Sequence, residues 1–312
     1  MARQRRFMKT ISAPNILLTG ITGFLGSNLA EAFAARGWQV TGVVRESSSL
    51  RRISRLIEAK KASTILSASA KQWLTDHSDA IIVHTATNYG RKGEAGEVIR
   101  EANFGLPAML LDAARSNKTA FLNADTFMPN STLSGEPYYD YCRTKKDFLD
   151  YALRSRREGG KFVNLVIYHM YGPDDNPEKF IPVALRKLLD RVPSMDLTGG
   201  RQTRDFIFIS DVADAFVSAI ERLNEFSDWE EFDIGTGTEH SLRELVSLLK
   251  EEVQGQTELN WGALPYHEHE LMRSRADISK NSKLGWQAGM PLKRGLKLTV
   301  AFYSRNSITS PH

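Results

Sequence analysis

The sequence predicts an α/β fold built on a doubly wound parallel sheet, with a smaller and discontinuous C-terminal lobe. Three observations support this prediction. Short apolar runs alternate with segments whose apolar residues recur at helical spacing, which is typical of parallel strands joined by helices. A glycine-rich turn follows the first apolar run. Beyond Pro173 the alternation weakens and prolines interrupt it, so we expect the last third of the chain to form most of the smaller lobe.

The order of the elements follows from the same patterns. We expect strands at residues 15–19, 39–44, 80–84, 120–123, 162–167 and 205–209. We expect helices from Phe24 to Gly37 and at residues 94–116, 138–157, 182–190, 212–223, 241–253 and 291–302, with Asp211 as the N-cap of the 212–223 helix. Residues 14–170, with 204–236 returning to them, then form one domain, and 171–203 and 237–303 form the smaller lobe.

The composition limits the class of protein and of ligand. The 312 residues are 41% hydrophobic and 25% charged, as in an ordinary globular protein. The small excess of 41 Lys and Arg over 37 Asp and Glu favours small anionic ligands over nucleic acid. No window reaches the roughly 18 apolar residues of a membrane span, and residues 1 to about 13 are interpreted as a solvated tail. Cys142 is the single cysteine, which excludes an internal disulfide and indicates a cytoplasmic setting.

Three glycines, Gly20, Gly23 and Gly26, recur at every third position between the first strand and its helix. Glycine lets the backbone turn sharply and approach a pyrophosphate, and the helix N-terminus offers free N–H groups to the anion. A purely structural turn also needs glycine, but the strand before it and the helix after it favour a Rossmann dinucleotide site. The cofactor-binding residues expected here are Gly20, Thr22, Gly23, Phe24, Leu25 and Gly26.

Arg45 follows the second strand, where an acidic residue would hold the 2′-hydroxyl of an adenosine ribose in an NAD-binding protein. A guanidinium at that place can grip a 2′-phosphate through two hydrogen bonds. The sequence therefore favours NADP over NAD, with Ser47, Ser48, Arg51 and Arg52 as further possible phosphate contacts. The alternative is that Arg45 is simply a surface residue after a strand.

Tyr141 and Lys145 are four residues apart in a predicted helix, so both side chains lie on one face. A cation beside a phenol is expected to lower the phenol's pKa, which makes Tyr141 a candidate proton donor or acceptor near neutral pH. The lysine can also hold a ribose hydroxyl. A solvated helix face explains most such pairs, but the position after a dinucleotide turn and a further strand favours a catalytic pair.

These motifs resemble those of the extended short-chain dehydrogenases/reductases, the NAD-dependent epimerase/dehydratase family, which act on nucleotide sugars. The resemblance rests on TGITGFLGSNLAEAFAARGWQV, YCRTK, YGP at 171–173 and RDFIFISDVADA at 204–215. Within the family, NADTF, KFIP, LPYHEHELMRSRADISK and LGW are most similar to the bacterial CDP-paratose and CDP-abequose synthases. The resemblance implies a dinucleotide-binding domain, a lobe that holds a nucleotide-diphosphate sugar, and a homodimer.

The resemblance also implies roles for particular residues. Tyr141 is the acid/base, Lys145 is its partner, and Asn103 helps to organise the lysine. The further cofactor-binding residues that it implies are Thr85, Ala86, Thr87, Tyr168 and His169. The substrate-binding residues that it implies are Asn88, Thr126, Phe180, Arg204 and Arg275, the two arginines on the diphosphate.

The sequence departs from the family at the end of its fifth recognised strand. A family Ser or Thr that hydrogen-bonds the sugar oxygen is replaced by Ala124, and either Thr126 takes over this catalytic role or Tyr141 acts without it. The Asp-Glu pair of the family's 4,6-dehydratases is also missing, because Asp125 precedes Thr126, so dehydration is disfavoured. His267 and His269 have no evident third ligand, so we expect a solvated loop and no metal there.

The predicted function is an NADPH-dependent reduction of a nucleotide-linked 4-keto-deoxysugar; the resemblance to the CDP-sugar synthases implies CDP, while the residues by themselves leave CDP, dTDP, GDP and UDP open. Tyr141 protonates the developing alkoxide, and Lys145 supports Tyr141 and the ribose. A nucleotide-sugar 4-epimerase with tightly bound NAD is the nearest alternative. A non-catalytic dinucleotide sensor is an alternative from another class, which the intact Tyr141 and Lys145 disfavour.

Overall fold

The fold is described from a computed structural model. The described residues are 13–91, 93–114, 119–128, 138–155 and 160–307. The solvated tail expected before residue 13 lies outside them, as do the ends that the sequence predicts at Ser116 and Arg157 for two helices.

The centre of the molecule is a seven-stranded sheet in which every neighbouring pair is parallel. Its strands are β1 (Asn15–Thr19), β2 (Gln39–Val44), β3 (Ala62–Leu66), β4 (Ile81–His84), β5 (Ala120–Thr126), β6 (Lys161–Ile167) and β11 (Trp229–Ile234). They are ordered β11-β6-β5-β4-β1-β2-β3. The chain therefore winds in opposite directions from β1 and β4, which makes the carboxyl ends of these two strands the switch point where such sheets bind ligands. The predicted doubly wound fold is confirmed.

The sequence patterns found the central strands and missed the two at the edges. β1 and β2 have the predicted bounds, and β5 runs three residues beyond the predicted 120–123. β3 and β11 are edge strands with largely exposed or half-buried residues, and β11 contains two glutamates. An edge strand needs no continuous apolar run, so hydrophobicity alone gives little signal for it.

Helices cover both faces of the sheet. Among the described residues they are α1 (Phe24–Ala35), α2 (Ser54–Glu58), α3 (Ala70–Asp76), α4 (Gly96–Arg100), α5 (Leu106–Ala113), α6 (Tyr139–Arg154), α7 (Phe180–Leu189), α8 (Ile209–Glu221), α9 (Leu242–Val253), α10 (Asn281–Leu284) and α11 (Leu292–Ser307). A π-helical turn, Glu101–Gly105, joins α4 to α5, so the helix predicted at 94–116 bulges in its middle. Two buried clusters of apolar side chains fill the space between the sheet and its helices.

The predicted cap of α8 is wrong. The helix begins at Ile209, directly after the short strand β10 (Phe206–Phe208), so Asp211 lies in the first turn. Its carboxylate instead accepts hydrogen bonds from the backbone N–H groups of Gly289 and Met290, at 3.0 and 2.8 Å. Asp211 thus ties α8 to the loop before α11.

Small sheets build the lobe that follows the sixth strand of the chain. Its remaining strands are β7 (His169–Tyr171), β8 (Ser194–Leu197), β9 (Thr203–Arg204), β12 (His240–Ser241), β13 (Glu258–Trp261) and β14 (Arg273–Ser274). They pair as β10-β7, β12-β9-β14 and β13-β8. Between β9 and β12 the chain returns to the central sheet as β11, so the smaller lobe is discontinuous, as predicted. The boundaries 171–203 and 237–303 stay a prediction. In the described part of the chain, no helix is long and apolar enough to span a bilayer.

Candidate active site

A cleft of about 1540 Å³ opens at the carboxyl ends of β1 and β4 and extends to the smaller lobe. Nearly all predicted site residues line it: Gly20, Thr22, Gly23, Phe24, Leu25, Gly26, Arg45, Thr85, Ala86, Thr87, Asn88, Thr126, Tyr141, Lys145, Tyr168, His169, Phe180 and Arg204. Asn103 and Arg275 do not. The structure therefore gathers residues from segments that are as much as 184 positions apart, Gly20 to Arg204, into one space.

The glycine turn has the shape that a pyrophosphate requires. Gly20 has a φ of +70°, and a Cβ added there would lie 2.7 Å from the backbone N of Ala86. A Cβ on Gly26 would lie 2.1 Å from the carbonyl oxygen of Gly20. The turn is closed by a 2.8 Å hydrogen bond from the N–H of Gly23 to the same oxygen. Side chains are thus excluded where the backbone and the N-terminus of α1 would face a dinucleotide, so the residues present fit that cofactor.

Thr19 and His84 fasten β1 to β4 directly beneath this turn. The Thr19 hydroxyl accepts from the N–H groups of Thr85 and Ala86 and lies 2.8 Å from Nδ1 of His84. A hydroxyl that accepts twice has its proton left to donate, so Nδ1 is the acceptor in this pair. Burial, with the nearby Lys145 charge, lowers the pKa of His84 to about 3, which keeps the ring neutral.

The expected 2′-phosphate site is only partly as predicted. Arg45 is exposed at the rim of the cleft, and its backbone N–H donates to the Ser48 hydroxyl at 3.0 Å. Arg51 and Arg52 both bind the carboxylate of Asp174, at 2.8 and 2.9 Å. Arg51 and Arg52, which the sequence offered as phosphate contacts, therefore hold the segment after Tyr171, while the Arg45 side chain stands exposed at the rim of the cleft.

Tyr141 sits on the cleft wall with only 4% of its surface exposed. The Thr126 side chain lies close enough to the phenol to oppose the rise of its pKa, and its hydroxyl accepts a 3.2 Å hydrogen bond from the Met128 N–H. The ring of Tyr89 stacks on the Tyr141 ring with centroids 4.6 Å apart. Burial first, and Tyr89 second, raise the pKa of Tyr141 well above its usual value. The phenol is therefore a proton donor at neutral pH.

Lys145 lies on the same face of α6 but faces the end of β5. Its Nζ donates to the carbonyl oxygen of Ala124 at 2.6 Å and lies 4.0 Å from the Asp125 carboxylate. Burial lowers the pKa of Lys145, while Asp125 opposes that shift. The expectation that Lys145 lowers the pKa of Tyr141 is wrong for this arrangement, because burial of the phenol dominates.

Asn103 stands behind the cleft, in the π-helical turn, and is buried. Its amide donates to the Asn88 carbonyl and to the Thr144 hydroxyl, at 2.9 and 3.1 Å. Its oxygen accepts from the Thr87 hydroxyl and the Asn88 N–H, at 3.0 and 2.8 Å. Asn103 thus joins α6, which carries Tyr141 and Lys145, to the loop after β4. The π turn, frequent at functional sites, brings this amide inward.

The predicted diphosphate arginines differ in position. Arg204 lines the cleft on β9 and forms a 2.7 Å ion pair with Glu270. Arg275 is exposed and lies outside the cleft, because Ser274 before it and Ala276 after it point inward instead. Ser274 there contacts Nε2 of His169 at 3.1 Å. The structure therefore brings Arg204, and not Arg275, to the other predicted residues.

Tyr168 and His169 follow β6 at the far wall. The Tyr168 hydroxyl donates to Asp233 at 2.9 Å. His169 packs on Phe127 with ring centroids 4.1 Å apart, and burial lowers its pKa to about 3. Both residues lie at the cleft as predicted, with their polar atoms bonded to protein groups.

Sequence reasoning missed Tyr89, Arg91, Asp175 and Lys179. All four line the cleft, and Lys179 forms a 3.0 Å ion pair with the buried Asp175. They lie in irregular segments where neither periodicity nor spacing gives a signal. The one signal available was position, since Tyr89 and Arg91 follow the end of a central strand, where side chains of such sheets meet ligands.

The fold and the cleft together define a dinucleotide-dependent protein of the short-chain dehydrogenase type. A family model for the NAD-dependent epimerase/dehydratase family matches residues 16–235. The chain belongs to that family. The resemblance predicted from the sequence is confirmed.

Curated relatives add detail. The chain is 29% identical over 289 residues to the CDP-abequose synthase of Salmonella muenchen, which covers 90% of this chain and 95% of that protein. It is 25% identical to the UDP-glucose 4-epimerase of Mycolicibacterium smegmatis, over 93% of this chain and 99% of that protein. The sequence similarity thus extends beyond the cofactor-binding half.

Solved structures share the fold. A UDP-glucose 4-epimerase from Thermotoga maritima superposes with a TM-score of 0.78 at 23% identity, covering 94% of this chain and 99% of that one. A UDP-glucuronic acid 4-epimerase variant from Bacillus cereus, in complex with NAD, gives a TM-score of 0.79 at 22% identity, with 94% and 99% covered. At these identities the likeness establishes the fold.

Proposed function

We propose that this protein is an NADPH-dependent reductase of a nucleotide-linked 4-keto-deoxysugar, with CDP as the nucleotide. The observation that carries the proposal is the buried Tyr141 phenol, which shares one cleft with Thr126 and with a turn shaped for a dinucleotide. Its raised pKa keeps it protonated, and a ketone reduction consumes one proton at the new hydroxyl. The CDP-abequose synthases among its relatives support the choice of nucleotide.

The residues divide the work as follows. A bound NADPH would supply the hydride to C4, leaving NADP⁺, while the carbonyl electron pair moves onto oxygen. Tyr141 gives its phenolic proton to that oxygen. Thr126, which lines the cleft near Tyr141, takes the place of the family hydroxyl that Ala124 lacks. Lys145, anchored by the Ala124 carbonyl and by Asp125 on the same helix face as Tyr141, supports the tyrosine and holds a ribose hydroxyl.

The proposed binding regions follow the cleft. The glycine turn and Thr85–Thr87 face the cofactor, and Arg45 at the rim is placed to hold its 2′-phosphate. Asn88, Phe180 and Arg204 face the substrate, in a lobe made of 171–203 and 237–303. A diphosphate at Arg204 must compete with Glu270 for the guanidinium. We also propose that the protein acts as a homodimer.

The reductase and the cofactor are tested together. The purified chain is incubated with NADPH or NADH and a panel of CDP-, dTDP-, GDP- and UDP-linked 4-keto sugars, and cofactor oxidation and the product alcohol are measured. We expect stoichiometric NADP⁺ and alcohol with a CDP-linked ketone. No turnover with any ketone would contradict the proposal and favour a dinucleotide sensor.

Arg45 is tested with one substitution. Arg45→Asp replaces a 2′-phosphate ligand with an acceptor for a ribose 2′-hydroxyl, so the ratio of kcat/KM for NADPH to that for NADH should fall. An unchanged ratio would show that Arg45 is a bystander.

A 4-epimerase is the second candidate, because the structural neighbours include several 4-epimerases with NAD. An epimerase recycles its cofactor, so NAD should remain bound through purification, and a nucleotide sugar should change configuration without added cofactor. The purified protein is denatured and the NAD released per chain is measured by absorbance. NAD close to one per chain indicates the epimerase, and its absence indicates the reductase.

A further inference from the structure

One guanidinium in the cleft has donors without acceptors. Nε and Nη1 of Arg91 are buried, and neither has a hydrogen-bond partner among residues 13–91, 93–114, 119–128, 138–155 and 160–307. Arg91 lines the cleft in the loop after β4. Its Cζ lies 4.8 Å from the centre of the Tyr89 ring and 5.5 Å from the centre of the Tyr138 ring. The two aromatic faces hold the guanidinium without occupying its N–H groups.

Burying charged donors without acceptors is costly, so a fold keeps them only where something else compensates. Asp175 attracts the Arg91 charge but does not accept from its buried N–H groups, since its carboxylate is bonded to Lys179 at 3.0 Å and to the N–H of Asn176 at 2.7 Å. Contacts between the guanidinium and the rings are weaker than hydrogen bonds to an anion. The arrangement is that of a cation prepared for an anionic ligand.

The position of Arg91 indicates which part of a ligand it meets. Tyr89 contacts both groups, since the guanidinium lies 4.8 Å from its ring centre and the Tyr141 ring centre lies 4.6 Å from it. The Cζ of Arg91 is therefore less than about 10 Å from the centre of the Tyr141 ring. In a nucleotide-diphosphate sugar, the anionic group closest to the reacting sugar carbon is the phosphate on the anomeric oxygen, one ring width from C4.

We propose that Arg91 binds the sugar-proximal phosphate of the substrate, and so supplies the second diphosphate contact that the sequence placed at Arg275. This inference rests on the proposed function and specifies its substrate site. Arg204 on β9 and Arg91 on the β4 loop then hold the diphosphate from opposite sides, one from each part of the molecule. The sugar ring is thereby anchored at its anomeric end while C4 faces Tyr141.

The test compares ligands that differ by one phosphate. Calorimetry with CDP, UDP, dTDP and GDP first identifies the nucleotide that the unaltered chain binds most tightly, and the corresponding monophosphate is then measured beside it. A monophosphate lacks the phosphate assigned to Arg91. We expect Arg91→Met to weaken binding of the diphosphate about 10- to 100-fold and of the monophosphate less than about threefold. Arg91→Lys should recover only part of the loss, because an ammonium cannot make the forked contact.

Arg294→Met is the matched control. Arg294 is exposed on α11, so this substitution removes the same charge at a site away from the cleft. It should leave both affinities unchanged. Thermal unfolding of Arg91→Met without ligand should show no loss of stability, because the substitution removes a buried unpaired charge. Equal weakening of diphosphate and monophosphate, or none of either, would overturn the assignment to the phosphate. If the unaltered chain binds no nucleoside diphosphate, the proposed function itself fails.

Discussion

At the scale of single residues, the chemistry depends on the environment of one phenol. Tyr141 is nearly completely buried, its ring stacks on Tyr89, and Thr126 lies near its hydroxyl. Burial penalises the phenolate, so the group gives up its proton only when an alkoxide develops beside it. This environment suits an acid in the direction of reduction.

Tyr141→Phe tests that role. The variant keeps the ring that packs on Tyr89 and loses only the proton, so we expect cofactor binding to be nearly intact and kcat to fall roughly two to four orders of magnitude. Stopped-flow or steady-state measurement of NADPH oxidation gives the rate, and fluorescence titration gives the affinity. Turnover like that of the unaltered chain would refute the assignment of the acid.

Thr126→Val asks whether the hydroxyl beside Tyr141 replaces the missing one at Ala124. The valine is nearly isosteric and removes the hydroxyl near Tyr141, together with the bond it accepts from the Met128 N–H, so transition-state stabilisation of roughly 1–3 kcal/mol should be lost, mainly in kcat. The double variant Thr126→Val with Ala124→Ser returns a hydroxyl at the family position and should recover part of the rate. If Thr126→Val alone has unchanged kinetics, Thr126 takes no part.

At the scale of elements, the turn between β1 and α1 and the π turn between α4 and α5 set the site. The first brings backbone close to backbone through Gly20 and Gly26. The second positions the Asn103 side chain so that it hydrogen-bonds both to the loop after β4 and to α6. Each is an irregularity joined to a rigid strand or helix, which fixes the positions of the functional groups.

Gly26→Ala should disrupt the turn. The new Cβ would lie 2.1 Å from the Gly20 carbonyl oxygen, and backbone on both sides must move, which we expect to cost about 1–3 kcal/mol or more and to weaken NADPH binding at least tenfold. Urea unfolding and fluorescence titration measure the two effects.

Gly289→Ala is the control, because a Cβ there has no atom within 4 Å and its φ is ordinary. Its stability should change by less than about 0.5 kcal/mol. Similar behaviour of the two variants would contradict the close approach at Gly26.

At the scale of the whole molecule, two neutral histidines make the fold sensitive to acid. The pKa values of His84 and His169 are lowered to about 3 by burial, while in the unfolded chain both return to about 6.5. Between these values the unfolded state binds more protons than the folded state. Stability is therefore complete above about pH 6.5 and falls as the pH decreases toward 3, by about 1.4 kcal/mol per pH unit for each histidine.

His84→Asn separates this contribution from that of the acidic residues. We expect the variant to be less stable at pH 7, where the bond to Thr19 is lost, but its unfolding free energy should decline less steeply between pH 6 and pH 4. Urea unfolding at half-unit pH steps gives both slopes. His267→Asn, at an exposed residue, should keep the original slope, and a His84→Asn slope equal to it would show that His84 titrates normally.

The sequence by itself determined the parts of this protein that depend on neighbouring residues. The strands and helices of the doubly wound sheet follow from the spacing of apolar residues. The glycine turn follows from the backbone angles and close approaches that glycine alone allows. The Tyr141–Lys145 pair follows from the helical repeat, which puts both side chains on one face. Each strand, turn and helix face is encoded by residues close together in sequence, and the order of these elements along the chain indicates the sheet.

Tertiary structure alone decided the rest, because packing brings together groups that no local pattern links. It placed Thr126 of β5 against Tyr141 of α6, and Tyr89 and Arg91 of the β4 loop beside them. Packing also leaves Arg275 exposed outside the cleft and pairs Arg51 and Arg52 with Asp174. It also fixed the pKa of Tyr141, since burial is a property of the assembled fold and outweighs the neighbouring lysine that the sequence made conspicuous.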